Sequence, residues 1–334
     1  MANSVLYPVC MILGGAGAWI MGTSALKLGL VDRPNDRSSH AAPTPKGGGV
    51  GILTAFVVSS LALKIPASFL LSGTILALAS LYGDRFAISP KFRLPVQFIA
   101  ALVLLSPVLF SDSFASYDLP TTDHFPLTTA FSLLPLSVFV MGTANFYNFM
   151  DGINGIARIT GIVAFGLLAL SASLSGTDSS FVTLAICISL SCLGFLPFNM
   201  PKAKVFMGDV SSILLGFVFA GMVVWLAKSL LDFICLSAFL FPFYADELTT
   251  MYVRLRDGEN LTRPHRRHLY QLLANEKGIS HWKISVGYGL LQLVVGLSIL
   301  LLRHFGSVMI LFLLATYFGG FVGVSYCFRR RLGD

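Results

Sequence analysis

The amino-acid sequence predicts an all-α protein, a polytopic transmembrane bundle of about eleven helices. Hydrophobic residues make up 55% of the 334 residues, and charged residues only 12%. Soluble domains carry about twice that charged fraction. Apolar runs that approach the roughly 17–25 residues needed to cross a bilayer recur along the whole chain. The lysines and arginines, finally, are concentrated in alternate loops between these runs.

Eleven apolar runs are candidate membrane spans, although several are slightly short. The first can span as it stands, and no small-residue cleavage site marks it as a signal peptide. In chain order the spans cover residues 5–27, 47–63, 68–82, 94–110, 128–144, 159–175, 181–198, 211–227, 233–250, 284–302 and 307–328.

The basic residues predict the orientation of the bundle. With the N-terminus outside and the C-terminus cytoplasmic, 20 of the 23 lysines and arginines fall on the cytoplasmic side. Only Lys64, Lys228 and Arg303 fall on the other side. Cytoplasmic loops carry such an excess in membrane proteins. The net charge of +7 therefore indicates a cytoplasmic face suited to anionic lipid and phosphate, with no need for nucleic acid.

The chain is expected to be one integral membrane domain, residues 1–334, whose chemistry lies in inner loops near 29–49, 83–93, 145–158, 199–209 and 251–283. The outer loop 111–127 has acids and a histidine in no recognisable pattern. The five cysteines fall in apolar spans and are interpreted as packing residues. No internal repeat is evident, which favours an enzyme over a transporter.

The segment 145–157 places polar side chains at the mouth of a membrane helix. Asn145, Asn148 and Asp151 are spaced three apart, which would align them along one helical stripe. Gly155 permits a bend or a close approach to a ligand. Two amides and a carboxylate suit Mg²⁺ and its bound phosphates. An interfacial cap with an Asn–Asp turn would explain the same residues without a ligand.

Asp209 stands at the start of the predicted eighth span. It is expected to cap that helix, with Ser211 and Ser212 in the first turn. Metal binding is the alternative role, and the two are compatible because a helix N-terminus also attracts phosphate.

Lys46 precedes three glycines in a turn-rich loop that enters the second span. It could meet a phosphate, assisted by exposed backbone N–H groups. A basic anchor with a flexible hinge is the alternative. The order Gly-Lys-Ser/Thr is missing, so this is not a nucleotide P-loop.

Three further acids lie at span ends. Asp84 could be a general base or a phosphate-facing acid, or could simply pair with its neighbour Arg85. Asp246 and Glu247 end the ninth span and are expected to pair with Arg254 or Arg256.

The loop 263–271 combines two histidines with three arginines. A helix begun by Pro264 would put His265 and His268 on one face. Zinc would need further ligands, and none is nearby. Phosphate contact by these histidines and by Arg266 fits better, while a basic patch on anionic lipid is the alternative.

Taken together, four segments resemble the polyprenyl-phosphate N-acetylhexosamine-1-phosphate transferases (glycosyltransferase family 4). This family includes phospho-N-acetylmuramoyl-pentapeptide transferase and the enzymes that initiate O-antigen synthesis, and the last loop is most similar to the O-antigen branch. The segments, in the expected order, are residues 37–49, 145–155, 208–212 and 264–271.

The resemblance implies roles for individual residues. Asp209 would be the leading Mg²⁺ ligand, with Asp151 and Asn148 beside it. Asp84 would match the second acid of the family's Asp-Asp pair and is the candidate base. The pyrophosphate of the donor would be met by Lys46, His265 and His268.

Three positions depart from the family pattern. Gly83 and Asn154 stand where acids are usual, and Arg158 stands where a small residue is common. These changes remove two negative charges from the site and leave the identity of the base open.

The resemblance further implies an activity. A phosphate oxygen of polyprenyl (undecaprenyl) phosphate would attack a UDP-N-acetylhexosamine and release UMP, with Mg²⁺, or Mn²⁺ in its place, as cofactor. The protein would lie in the bacterial inner membrane, in contact with lipid, with a cytoplasmic active site; a homodimer is compatible with this. A weakened or inactive relative that binds lipid phosphate, and a lipid-phosphate transporter or flippase, are the alternatives. A transporter would need polar residues along a path through mid-membrane, and the spans have few.

Overall fold

A computed structural model describes residues 2–34, 42–86, 88, 90–109, 125–176, 179–261, 263 and 265–332. Within these ranges the chain is helical apart from its connections and one two-stranded ribbon. Arg37, Pro264 and the acids expected in the loop 111–127 are among the predictions that lie outside the described residues.

Thirteen α-helices are found in the described part of the chain. They are α1 (Ala2–Ser24), α2 (Val50–Ala62), α3 (Ala67–Phe86), α4 (Pro90–Leu109), α5 (Phe125–Phe149), α6 (Ile156–Leu174), α7 (Ser179–Phe195), α8 (Asp209–Leu226), α9 (Leu230–Ser237), α10 (Phe241–Arg256), α11 (Leu269–Asn275), α12 (His281–Leu302) and α13 (Ser307–Leu332). Strands β1 (Val31–Asp32) and β2 (Thr44–Pro45) pair antiparallel, with Val31 opposite Pro45.

The all-helical membrane architecture is confirmed. Seven described helices are long and apolar enough to cross a bilayer: α1, α3, α6, α7, α8, α12 and α13. The helix α2 and the apolar part of α4 are shorter. The protein is therefore a multi-pass membrane protein, while the number of eleven spans and the orientation stay predictions.

The predicted ninth span, residues 233–250, is not one continuous helix. The chain there forms α9, a 3₁₀ turn at Ala238–Leu240 and α10. Pro242 stands in the first turn of α10, where its missing N–H does no harm, whereas inside a helix it would break the hydrogen-bond ladder.

Helix α8 is the centre of the bundle. Every residue from Val210 to Val224 is buried, as expected for a helix that is apolar on all sides. It packs against α3 and α5. Since its first residue is Asp209, this packing fixes the position of that acid relative to the ends of α3 and α5.

Glycines allow α1 and α7 to approach each other closely. A Cβ on Gly14 would lie 2.0 Å from the Ser191 carbonyl oxygen, and one on Gly194 would lie 1.9 Å from that of Met11. Small residues at such an interface allow the backbones to touch, a common device in membrane proteins.

Candidate active site

Two segments that are far apart in sequence lie side by side at one end of the bundle. The Phe206 N–H donates to the Pro45 carbonyl at 2.8 Å, and the Gly48 N–H donates to the Phe206 carbonyl at 2.9 Å. Gly49 donates to the Met207 carbonyl at 3.0 Å. These backbone bonds hold the glycine-rich loop before α2 against the loop that leads into α8.

Asp84, at the end of α3, links that helix to both of these segments. Its side chain is fully buried, and its Oδ1 lies 2.7 Å from the Lys46 ammonium. Its Oδ2 accepts a 2.8 Å hydrogen bond from the backbone N–H of Asp209. The expected pairing with Arg85 is wrong, since that residue is exposed and lies over the Phe86 ring. The acid therefore connects the end of α3 to the glycine-rich loop and to α8.

Lys46 carries a firm positive charge. Burial disfavours its charged form, but the carboxylates of Asp84 and Asp209 outweigh this effect and raise the pKa of the ammonium. The side chain keeps a quarter of its surface exposed. A phosphate that reaches this end of the bundle can therefore meet a stable cation.

Asp209 is the first residue of α8 and not its cap, contrary to expectation, because Gly208 holds the cap position. Its carboxylate forms an ion pair with Arg93 and accepts a 3.0 Å hydrogen bond from the Asn148 amide. That amide also donates to Ser212 Oγ at 2.8 Å. The expected neighbourhood of Asn148 and Asp209 is thus found in the structure.

Sequence reasoning missed Arg93, which it treated only as a basic loop residue. The space for its guanidinium is left by Gly83, where a Cβ would lie 3.1 to 3.3 Å from the guanidinium atoms. The departure at Gly83 was therefore the available signal. A position where the family usually has an acid here admits a cation that pairs with Asp209.

Asp151 lies in the turn after α5, so it does not continue the helical stripe of Asn145 and Asn148. It forms an ion pair with Arg158. Burial raises the pKa of Asp151 to about 6, Arg158 opposes this rise, and the charge of Asp209 adds to it. The carboxylates of Asp151 and Asp209 are thus electrostatically coupled.

Arg158 is almost fully buried, with 1% of its side chain exposed. Its guanidinium lies over the Phe195 ring, 5.1 Å from the centroid. The arginine therefore packs into the bundle and neutralises Asp151 from the inside. Relative to the family pattern, Asn154 removes a negative charge, and Arg158, four residues later, adds a positive one.

Asn145 is one helical turn away from the acids and is otherwise engaged. It exchanges hydrogen bonds with Gln97, at 2.7 and 3.2 Å, and donates to the Met141 carbonyl. Its amide joins α4 to α5, and it lies outside the cluster formed by Asp84, Asp209 and Asn148.

The loop with the histidines is not helical where the sequence predicts it. Helix α11 begins at Leu269, and His268 is its N-cap in a capping box with Gln271. The rings of His265 and His268 are nevertheless close, with centroids 4.8 Å apart. Arg266 is exposed and is 3.9 Å from Glu276, so it can still reach a ligand.

The two histidines are neutral near pH 7. Burial lowers the pKa of His268 to about 3, and the charges of Arg329 and Arg254 add to this effect. Burial and His268 lower the pKa of His265 to about 4. They can therefore act as hydrogen-bonding groups toward a phosphate, but not as permanent cations.

The loop is attached to the turn that carries Asp151. The Tyr270 hydroxyl donates to the Phe149 carbonyl at 3.0 Å, and a Cβ on Gly152 would lie 2.2 Å from this hydroxyl. Glycine at 152 is thus needed for the close approach of α11 to the end of α5.

The expected pairing of Asp246 with Arg254 or Arg256 is wrong. Asp246 accepts the N–H groups of Leu269 and Tyr270 and the hydroxyl of Tyr288, at 2.7 to 3.3 Å. Asp246 therefore satisfies backbone N–H groups at the N-terminus of α11. Arg254 instead pairs with Glu259 and Arg256 with Asp257.

The cluster offers oxygen donors of the kind that Mg²⁺ prefers. Within the described residues no three His, Cys, Asp or Glu side chains form a metal cage. Magnesium, however, usually takes one or two carboxylates and leaves its other positions to water and phosphate. Asp84, Asp209 and Asn148 fit that donor set, with Asp151 coupled to them.

Comparison with known proteins places the chain in a class. The profile of glycosyl transferase family 4 matches residues 66–227. The chain is 32% identical to phospho-N-acetylmuramoyl-pentapeptide-transferase of Nostoc punctiforme, over 68% of this chain and 67% of that protein. The chain belongs to glycosyl transferase family 4, as its motifs indicated.

Two other relatives extend over more of the chain. It is 26% identical to the probable undecaprenyl-phosphate N-acetylglucosaminyl 1-phosphate transferase of Bacillus subtilis, over 88% of this chain and 84% of that protein. It is 27% identical to the decaprenyl-phosphate N-acetylglucosaminephosphotransferase of Mycobacterium leprae, over 83% and 77%.

Proposed function

We propose that this protein transfers the sugar-1-phosphate of a UDP-N-acetylhexosamine to polyprenyl phosphate, which yields a polyprenyl diphosphate sugar and UMP. The observation that carries this proposal is the junction of Asp84, Lys46, Asp209 and Asn148, four side chains from four segments at one end of a membrane bundle. The family relationship supports the same reaction.

The reaction is a displacement at phosphorus. A phosphate oxygen of the acceptor forms a bond to the β-phosphorus of the donor, and the bond from that phosphorus to the bridging oxygen breaks. Both electrons of the broken bond leave with UMP. Such a reaction needs positioning and neutralisation of charge more than a strong base. A phosphate monoester has its second pKa near about 6, so the acceptor is already largely ionised at neutral pH.

The residues of the chain supply that positioning. Lys46 offers a permanent cation to the diphosphate. The exposed Arg266 can bind phosphate through a forked guanidinium, and neutral His265 can donate a hydrogen bond. His268 is buried beneath this loop, so its contribution is to fix the start of α11.

We propose Mg²⁺, with Mn²⁺ as a substitute, as the cofactor held by Asp84, Asp209 and Asn148, with Asp151 electrostatically coupled to Asp209. When bound, such an ion withdraws charge from the diphosphate and stabilises the departing phosphate. In the structure Asp209 faces Arg93 and Asp84 faces Lys46. These cations balance the acids, and each is also available to a phosphate.

We further propose that the reaction takes place at the cytoplasmic face of a bacterial inner membrane. The concentration of basic residues in the predicted inner loops supports this. The loop 264–271, with its likeness to the O-antigen branch, favours a donor used in lipopolysaccharide assembly.

The test is a direct assay of purified protein with polyprenyl phosphate and a panel of UDP-N-acetylhexosamines, in which released UMP is measured with Mg²⁺ and with EDTA. We expect release with at least one donor, abolished by EDTA. If no donor gives UMP while the protein still binds polyprenyl phosphate, the chain is an inactive relative and the proposal is wrong.

Variants of the acids test the site itself. Asp209→Asn and Asp151→Asn should each lower turnover about a hundredfold or more, because preorganised charge is a major contribution to such catalysis. The matched control is Asp232→Asn, since Asp232 pairs with Arg303 in the α9–α12 region, away from these loops. Near wild-type turnover in both site variants would refute the assignment.

A further inference from the structure

Helix α13 ends in three consecutive arginines that are not equivalent. Arg330 and Arg331 are exposed, as expected of residues that anchor a helix at the membrane surface. Arg329, in contrast, is 4% exposed. A buried arginine is costly unless it is paired and hydrogen-bonded, so its contacts have to explain why it is there.

Arg329 reaches across three elements. Its Nη2 donates to the carbonyl of Arg267 at 2.7 Å and to Thr250 Oγ1 of α10 at 3.1 Å. Its Nε donates to Ser325 Oγ, one turn earlier in α13, at 3.1 Å. The buried carboxylate of Asp246 supplies the opposing charge. The last helix is thereby joined to the loop that carries the histidines.

Arg329 contacts the backbone of that loop next to the residues proposed to bind the diphosphate. Arg267 stands between Arg266 and His268 in the chain. The following residues are fixed by Asp246, which accepts the N–H groups of Leu269 and Tyr270. The Arg329 contact thus extends this fixed region back toward Arg266, whose side chain is exposed.

The preceding part of the loop is held in the same manner by a second buried arginine. Arg254 of α10, 2% exposed, donates to the carbonyls of Asn260 and Arg263 at 2.7 and 3.0 Å. Two guanidinium groups therefore bind backbone carbonyls on either side of the segment that contains His265 and Arg266. These contacts are made to the backbone of the loop and not to the side chains of that segment.

We propose that Arg329 is a positioning residue for the donor: it holds the Arg267 carbonyl so that His265 and Arg266 face the diphosphate of the sugar nucleotide. This inference rests on the proposed function. It gives the last helix a role in substrate binding in addition to membrane anchoring, without direct contact between Arg329 and the substrate.

The variants are Arg329→Ala, Arg329→Lys and, as the matched control, Arg330→Ala. The two alanine variants each remove one arginine of the same helical turn, but only the first removes the contact with the loop. Lysine keeps the charge and loses the planar fork that serves two acceptors at once. It also provides a conservative variant if alanine at 329 prevents folding.

The first measurement does not depend on the reaction. Limited trypsin digestion of each full-length protein reports on the loop, because Arg266 is exposed and is followed by Arg267, so the bond after it is a trypsin cleavage site. We expect faster cleavage there in Arg329→Ala, an intermediate rate in Arg329→Lys and an unchanged rate in Arg330→Ala. Equal cleavage in all variants would overturn the inference.

The second measurement separates the substrates. The KM for the UDP-sugar should rise roughly ten- to hundredfold in Arg329→Ala, as expected when hydrogen-bonding groups are displaced by about an ångström. The KM for polyprenyl phosphate should stay within about twofold. A lower melting temperature with unchanged loop cleavage and donor KM, or an Arg329→Lys variant identical to wild type in both, would refute positioning by the fork.

The two proposals fail separately. If the wild-type protein releases no UMP from any donor, the proposed transferase function is wrong. The trypsin comparison then still decides whether Arg329 holds the loop.

Discussion

Replacing Gly208 by alanine is the sharpest test of the junction between Asp84 and Asp209. Gly208 has φ 75° and ψ 171°, a backbone region that is essentially restricted to glycine. Another residue there costs about 1–3 kcal/mol in strain. A Cβ would also lie 2.7 Å from Asp84 Oδ2 and 3.1 Å from the Gly47 backbone nitrogen.

The geometry sets the size of the effect. Ordinary contact begins at 3.4 Å, so from 2.7 Å the Asp84 oxygen would have to retreat by about 0.7 Å. That oxygen accepts the 2.8 Å hydrogen bond from Asp209, and its side chain is fully buried. Loss of a hydrogen bond to a charged group costs about 1.5–3 kcal/mol, and a displaced catalytic group costs up to about a hundredfold in rate.

The chain offers a matched control in Gly306. It has φ 88° and ψ −177°, close to the values of Gly208, and a Cβ there would meet nothing within 4 Å. Gly306→Ala therefore carries the strain without the collision. The difference between the two variants isolates the displacement of Asp84.

The assay combines thermal unfolding in detergent with UMP release at a temperature where both variants are folded. We expect Gly208→Ala to lose about 1.5–3 kcal/mol more stability than Gly306→Ala and roughly ten- to hundredfold more turnover. If the two variants lose the same stability and keep the same turnover, Asp84 is not held as the structure shows and the reasoning fails.

Two further predictions concern buried charges. The pKa of His268 falls from its ordinary 6.5 to about 3 on folding. Below pH 6.5 the unfolded chain therefore binds a proton at this histidine, and the folded chain does not. The resulting contribution to the free energy of unfolding is fully present above pH 6.5 and is lost as the pH falls toward 3. At pH 5 about 2 kcal/mol of it has been lost. The melting temperature should therefore change less between pH 5 and 8 in His268→Gln than in wild type. The exposed control His304→Gln should match wild type, and an equal pH dependence in all three proteins would contradict the assignment. For the Asp151–Arg158 pair, Arg158→Met alone should cost about 3–5 kcal/mol of unfolding free energy, because it leaves the Asp151 carboxylate buried without a partner. The double variant Arg158→Met with Asp151→Asn should cost distinctly less, because it removes that carboxylate as well. Additive losses in this cycle would mean that the two side chains do not interact.

The local motifs predicted which segments contribute to the candidate site, and particular residues show why this was possible. Lys46, Asp84 and Asp209 each stand at the end of an apolar run, where polar groups at the membrane surface have few roles other than ligand binding or capping. Asn148, three residues before Asp151, was also placed correctly beside Asp209. The choice of these positions follows from residue type and proximity to a helix end, both of which can be read along the chain, whereas the placement of Asn148 beside Asp209 was implied by the family resemblance.

The pairings of the acids could not be read in this way. Arg93 pairs with Asp209 across 116 positions, and Lys46 pairs with Asp84 rather than the adjacent Arg85. Asp246 serves the N-terminus of α11 instead of a neighbouring arginine. Each choice depends on which helices pack together, and no local pattern encodes that.

By itself, the sequence determined that this is a helical membrane protein of glycosyl transferase family 4, because apolar length and motif order are properties of the linear chain. Only the tertiary structure decided that Gly83 makes room for Arg93, that Arg158 enters the interior to meet Asp151, and that Arg329 folds back onto the histidine loop. A buried charge must find its partner in space, and the partner is selected by the packing of the whole bundle.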